Sequence, residues 1–290
     1  MIGANAPFAQ DRNPRFCKPS TQGDPMKNAT QILLTALVAL LVFAGCASKQ
    51  PSPNLCTSVC DGLVAYYPFY GDATDKSGNG LDAKVLGGTL SKDRNGYQNH
   101  AYKLNGKNDA MEISNVSNLK LESGSFSVVA LVKVNQKSQE WITYSGGQFS
   151  KGKIVHGDKY SFNMGYHYYP NGTNNLWFSV GDSSNASTDA HYGRSNPLQY
   201  NHIVGVADRA AGKIFLYVNG EHASRAAWNG NIRNPASKWK IGMSGDRTWK
   251  ELHRGNLDGT IDEVRLYNRA LSAEEVEELY LFASAFPPAE

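Results

Sequence analysis

The residues of this 290-residue chain best equipped for chemistry are two adjacent carboxylates, Asp262 and Glu263, and the oxygen-bearing loop Asp72, Asp75, Asn79 and Asp82. Cleaving a glycosidic bond needs an acid and a base that reach one accessible surface. Neighbours in a regular strand point to opposite faces, so Asp262 and Glu263 are not expected to flank one bond. His156, His167, His191, His202, His222 and His253 are scattered, no G-x-S-x-G elbow accompanies them, and each reads as a loop or edge residue. The expectation is a chain without catalysis. Oxygen donors spaced like those of the acidic loop can converge on a hard cation such as Ca²⁺. The D-x-D-x-D-G run and distal Glu of an EF-hand are missing, so a loop of Asx turns satisfying its own amides is the competing reading.

Binding chemistry has more support. A pyranose offers C–H faces to an aromatic plane, and its hydroxyls need polar partners. The run Tyr166-His167-Tyr168-Tyr169-Pro170-Asn171-Gly172 supplies both kinds around a turn, and Trp249 follows Asp246 and Arg247, with Arg254 close behind. Tyr166, Tyr168, Tyr169, Asn171, Asp246, Arg247 and Trp249 are therefore the candidate ligand contacts. Trp228 is a further candidate, whereas Trp141 and Trp177 lie in strand-like runs and are expected in the core.

These residues need a scaffold, and the composition favours β structure: 15 Tyr, 11 Phe, 5 Trp and 28 Gly. A formal charge of +3 leaves no basic footprint for nucleic acid. From Leu63 onward, short apolar or alternating runs are separated by Gly, Asn, Asp and Ser. Strands are expected at Leu63–Phe69, Ala101–Leu104, Ala110–Ile113, Phe126–Val134, Trp141–Ser145, Tyr160–Tyr166, Leu176–Val180, His202–Asp208, Lys213–Val218, Trp239–Met243 and Thr260–Tyr267. Phe126–Val134 is apolar on both faces for most of its length and should be central. Asn219-Gly220 is a type I′ hairpin turn. Ser272 and Glu275 form an S-x-x-E capping box, and Val276, Leu279 and Tyr280 give the helix that follows a docking stripe.

Ahead of this region, Ile32–Gly45 is apolar but shorter than a membrane span, and Lys27 precedes it, which is the anatomy of a secretion signal. The polar, Pro-containing stretch before it leaves either Met1 or Met26 as initiator. The junction Ala44-Gly45-Cys46 resembles a bacterial lipobox, apart from Phe43 where Leu is usual. That resemblance implies a lipid on Cys46, a tether over 46–61 and a protein held outside the cytoplasm on the cell envelope. Sequons at Asn115, Asn171 and Asn185 then count as loop asparagines. Cys56 and Cys60 are close enough for a small loop disulfide in an exported chain.

The segments Gly62–Gly80, Gly124–Val132, Ile214–Gly220 and above all GlyThrIleAspGluValArgLeuTyrAsnArgAlaLeuSer at Gly259–Ser272 resemble the laminin-G-like, concanavalin-A-like jelly roll. The resemblance implies an all-β, two-sheet antiparallel sandwich over 62–282 with a short C-terminal helix and a tail at 283–290. It also implies a structural Ca²⁺ held by Asp72, Asp75 and Asn79 with Asp262 of the last strand. The strand-borne E-x-D-x-x-E run of related glycanases is absent, as are the Arg, Gln-x-His and Tyr motifs of the alginate-lyase branch. The expected function is therefore carbohydrate or glycoconjugate binding, with a protein-interaction or envelope-structural module as the alternative.

Overall fold

The computed structural model describes residues 58–116, 124–135, 142–144, 147–157, 161–168, 174–181, 187–196, 198–232, 238–243 and 256–285. All of them lie in the compact unit Pro51–Glu290. The strands begin with β1 (Leu63–Tyr67), β2 (Ala83–Val85), β3 (Thr89–Ser91), β4 (Ala101–Asn105), β5 (Met111–Ser114) and β6 (Phe126–Val134). They continue with β7 (Ile142–Tyr144), β8 (Gly147–Gly157), β9 (Phe162–Tyr168), β10 (Asn174–Gly181) and β11 (Ser187–Tyr192). The series ends with β12 (Asn201–Asp208), β13 (Lys213–Val218), β14 (Glu221–Ala227), β15 (Lys238–Ile241) and β16 (Asp258–Tyr267), followed by helix α1 (Ala273–Ser284).

They form two antiparallel eight-stranded sheets. Sheet A runs β14-β13-β12-β6-β16-β4-β3 with β1 on β16, and sheet B runs β11-β10-β9-β8-β15-β5-β2 with β7 on β8. The main core lies between them. Val128, Ala130 and Val132 of β6 share it with Phe162 and Met164 of β9, Phe178 of β10 and Trp239 of β15. A side chain at Gly205 would strike the Phe178 ring, so this glycine is what lets the two layers close. As the apolar run of β6 requires, this strand sits mid-sheet, between β12 and β16.

Local rules explain the edges of the elements. β1 stops at Tyr67 rather than Phe69, because Pro68 has no N–H for the ladder and Phe69 takes φ 56°. Asn219 and Gly220 have φ 54° and 84°, as a type I′ hairpin demands. The capping box is present at Ser272 and Glu275, and Arg269 grips the same Glu275 with two 2.7 Å bonds. β2, β3, β8 and β11 are absent from the sequence expectation; the three short ones carry little apolar signal and are recruited by pairing with a neighbour. Ser58 is already buried and bound to Arg265, and α1 runs to Ser284 with Ala283 buried.

Candidate ligand-binding face

The outer face of sheet A is closed. Between Ile261 and Glu263 the register of β16 against β6 slips by one residue, a β-bulge. Ile261, Val264 and Leu266 point into the core, so the bulge turns both Asp262 and Glu263 outward, correcting the expectation of opposite faces. They still make no hydrolytic pair, being 1% and 6% exposed and each engaged by an arginine. Arg94 donates from Nη1 to Asp262 Oδ1 at 2.8 Å and from its backbone to Oδ2 at 2.9 Å, and its Nε holds the Ala283 carbonyl. Arg265 Nε lies 2.6 Å from Glu263 Oε1, and its guanidinium sits 4.2 Å over the Tyr66 ring.

Burial pushes the Asp262 carboxyl up to about 6 although Arg94 pulls the other way. Glu263 feels the same burial, but Arg265 outweighs it and holds Glu263 below the usual range. Beside them His202, buried with neither ring nitrogen hydrogen-bonded, is driven down to about 4 by loss of solvent. Helix α1 covers this face through Val276 and Leu279, which pack on Val129, Val204 and Tyr267.

The acidic loop uses its oxygens internally. Asp75 Oδ1 accepts from the backbone N–H groups of Tyr66 and Ser77, and Oδ2 from Ser77 Oγ and Leu81 N–H. Asp72 Oδ1 accepts both the amide and the hydroxyl of Thr74, Asp82 takes the Asp75 amide, and Asn79 donates to the Leu63 and Val64 carbonyls. Asp262 is held by Arg94. These residues do not fit a shared calcium ion, and no three His, Cys, Asp or Glu among the described residues are placed to hold a metal.

The outer face of sheet B differs. Along β10 Leu176, Phe178 and Val180 enter the core, which leaves Asn175, Trp177 and Ser179 outside; along β9 Phe162, Met164 and Tyr166 enter it, leaving Asn163 and Gly165. Register then draws two polar lines on the sheet, Asp189, Ser179 and Asn163 on β11, β10 and β9, and Lys240, Glu112 and Lys84 on β15, β5 and β2. Beside the first runs His191, Trp177, Gly165. The middle of this face is out of solvent, with Trp177 only 6% exposed, while Lys84, Asp189, His191 and Lys238 at its margins are exposed. Asn175 Nδ2 meets His191 Nδ1 at 3.2 Å, and Lys238 Nζ meets Glu112 Oε1 at 2.7 Å. That last bond, with Lys240 and Lys84 nearby, holds Glu112 below the usual carboxylate range.

The expected ligand contacts fare unevenly. Tyr166 is 2% exposed within the main core, so it cannot be a solvent-facing platform. Tyr168 falls in β9, while Tyr169, Asn171, Asp246, Arg247 and Trp249 lie outside the described residues, as do Trp141, Cys46 and Cys56. Trp228 is buried, its indole N–H donated to the Asn231 carbonyl and Arg209 5.4 Å above the ring. Trp177, expected in the core, is buried on the opposite face of its strand. The strict alternation of Phe162-Asn163-Met164-Gly165-Tyr166 and Leu176-Trp177-Phe178-Ser179-Val180 carried that information.

A laminin-G-type profile of the concanavalin A-like lectin/glucanases superfamily matches residues 105–277, and the chain belongs to this family. The Gly259–Ser272 segment contributes to that match, and its Asp-Glu-x-Arg core is the buried charge cluster of sheet A. No curated protein matches in sequence. Among solved structures, the binding domain of botulinum neurotoxin serotype D superposes with a TM-score of 0.56 at 15% identity, over 77% of this chain and 52% of that one. The binding domain of Paraclostridial Mosquitocidal Protein 1 gives 0.57 at 17%, covering 76% and 52%. The binding domain of botulinum neurotoxin DC in complex with SialylT gives 0.55 at 13%, covering 78% and 52%. The chain thus spans about half the length of these structures, and the likeness is one of fold.

Proposed function

We propose that the chain is a non-catalytic binding module that takes a carbohydrate or glycoconjugate on the outer face of sheet B. One contrast carries this reading: helix α1 and buried ion pairs occupy the outer face of sheet A, whereas the outer face of sheet B carries exposed polar side chains at its margin, Asp189 and His191 with Asn175 bonded to it. Carboxylate, imidazole and amide groups are the partners that sugar hydroxyls require. One structural neighbour is described in complex with SialylT, a fact about that protein that agrees with this reading. Another, the botulinum neurotoxin DC binding domain in complex with rat synaptotagmin II, supports the second reading, a protein partner.

A glycan array on the full chain tests the first, with Asn175→Ala and, for the loop aromatic, Trp249→Ala alongside. We expect binding that each substitution weakens roughly tenfold, the scale of one lost contact, with melting curves showing that both variants fold. Silence across all glycans would transfer the proposal to a protein partner. The same proposal places the module outside the cytoplasm, held by lipid on Cys46, as the lipobox resemblance implies.

A further inference from the structure

We propose that the margin of the sandwich formed by β2 and β3 rests on an anionic lipid surface, a contact separate from the sugar reading that rests on the anchoring of Cys46 proposed above. Among the described residues seven large hydrophobic side chains are exposed, and five of them, Tyr70, Val85, Leu86, Leu90 and Tyr97, fall between positions 70 and 97. Single exposed apolar side chains are ordinary, whereas a group of them marks a contact surface. β2 and β3 are the last strands of sheets B and A, joined through Leu86, Gly87 and Gly88. Val85 and Leu90 stand opposite the core residues Met111 and Tyr102, yet they stay 38% and 37% exposed because no strand follows either edge. At the opposite margin β11 closes on β14. The link is seated on the domain: the Leu86 N–H bonds the Ala110 carbonyl at 2.8 Å, and a Cβ at Gly88 would meet the Leu104 side chain.

The patch continues through aromatics held by two loops. Phe69 and Asn99 take φ 56° and 62°, the Gly71 N–H bonds the Asn99 carbonyl at 2.8 Å, and the His100 N–H bonds the Ser91 carbonyl of β3. Tyr70 and Tyr97 thereby lie 4.6 and 5.8 Å from the His100 ring, centroid to centroid. Lys84 on β2, Lys92 just after β3 and Lys103 on β4 are exposed around these side chains. Lys92 and Lys103 make no ion pair with a described residue, and Lys84 stands opposite Glu112, which Lys238 already holds. The acids nearby, Asp72, Asp82 and Asp93, turn oxygens to Thr74, to the Asp75 amide and to the Asn95 and Tyr97 amides. Apolar and tyrosine side chains ringed by lysine suit a bilayer boundary, where rings and stems sit among headgroups and ammonium groups meet phosphate. Protein interfaces instead enrich arginine and deplete lysine. Edge pairing with a second copy is blunted by strands of three residues that carry or precede a lysine.

The chain also enters the domain near this margin. Ser58 Oγ donates to Glu278 of α1 at 2.6 Å, and Arg94, from the loop between β3 and β4, bonds the Ala283 carbonyl of the same helix. Ser58 is twelve residues after Cys46, a reach of at most about 40 Å. An anchored domain therefore meets the bilayer at high effective concentration, and a modest patch suffices. Asp189 and His191 lie on β11, at the far end of sheet B, and stay clear of the membrane.

The test reconstitutes the full chain in vesicles of phosphatidylglycerol with phosphatidylcholine, in vesicles of phosphatidylcholine alone and in detergent, and acetylates its lysines with a membrane-impermeant reagent read by peptide mass spectrometry. In the anionic vesicles Lys84, Lys92 and Lys103 should react roughly fivefold more slowly than in detergent, the factor equivalent to about 1 kcal/mol of attraction per lysine. Lys213, exposed on β13, should not change, and phosphatidylcholine alone should protect less. Leu86→Ser with Leu90→Ser should restore the detergent rates while the chain still floats with the vesicles. Lys84→Glu with Lys92→Glu, both exposed positions, should do the same at Lys103 without moving the melting midpoint, whether or not the leucine variant folds. A chain that floats with the vesicles but reacts as in detergent would overturn the lipid contact and leave the anchor standing. A chain that does not float would end both. Equally slow rates in detergent and vesicles, with a dimeric mass by light scattering, would overturn the lipid contact by giving the margin to a second copy.

Discussion

Asp262 and His202 are both buried on the outer face of sheet A, and burial moves their protonation in opposite directions. Asp262 titrates near 6 in the folded chain and near 3.8 when unfolded, so its protonation favours folding at low pH. That contribution, about 3 kcal/mol at 1.36 kcal/mol per unit, is lost as pH rises from about 4 through 6. His202 titrates near 4 folded and 6.5 unfolded, so the stability tied to its neutral form is present above 6.5 and is lost as pH falls towards 4. Between pH 4 and 6 the two slopes oppose one another. His202→Phe removes one of them along with two unsatisfied ring nitrogens. Unfolding free energies from denaturant titration should therefore rise by about 1–2 kcal/mol near neutrality, from the relief of buried unpaired polar atoms, and should decline as pH rises across 4 to 6. A variant whose profile stayed parallel to that of the parent would show that His202 is not proton-linked to folding.

Among the elements, the acidic loop and helix α1 hold two paired strands, one each. β1 pairs with β16; the loop reaches β1 through Asp75 and Tyr66, and α1 reaches β16 through Arg94 and Asp262. Arg265 and Arg269 tie Ser58 and Asp61, at the start of the domain, to the same corner. Asp75 is thus the joint of the loop, serving four donors, two of them the buried amides of Tyr66 and Leu81. Asp75→Ala should cost about 2–4 kcal/mol by orphaning them, whereas the exposed Asp72→Ala should cost less than 1. The hydrogen bonds already made imply that EGTA leaves the melting midpoint of the parent unchanged. A fall of several degrees, restored by added calcium, would contradict that account.

For the whole molecule, two layers share one core while their outer faces meet different fates. The fold itself, common to the neurotoxin binding domains at 13–17% identity, does not choose a ligand. The choice rests on the side chains that the two outer faces carry. The proposed anchoring predicts that the mature chain isolated from membranes begins at a diacylated Cys46, and that non-reducing peptide mapping recovers Cys56 joined to Cys60. An unmodified Cys46 in the intact-mass spectrum would remove the anchor.

Much of this was legible in the sequence because period-two alternation, turn chemistry and capping act over a few residues. The central place of Phe126–Val134, the Asn219-Gly220 turn and the Ser272 cap all follow from such local rules, and the jelly-roll class from the resemblance carried by Gly259–Ser272 and its companion segments. The candidate site was only partly legible. Trp177 is buried, as its apolar strand led one to expect, while its alternation with Leu176 and Phe178 sets it on the face opposite the main core. Tertiary structure alone decided the rest. A one-residue bulge turned Asp262 and Glu263 to the same face, Arg94 arrived from far along the chain to hold Asp262, and strand order lined up Lys84, Glu112 and Lys240. Each depends on which distant segments pair and in what register, and pairing between segments far apart in the chain leaves no periodic trace in either one.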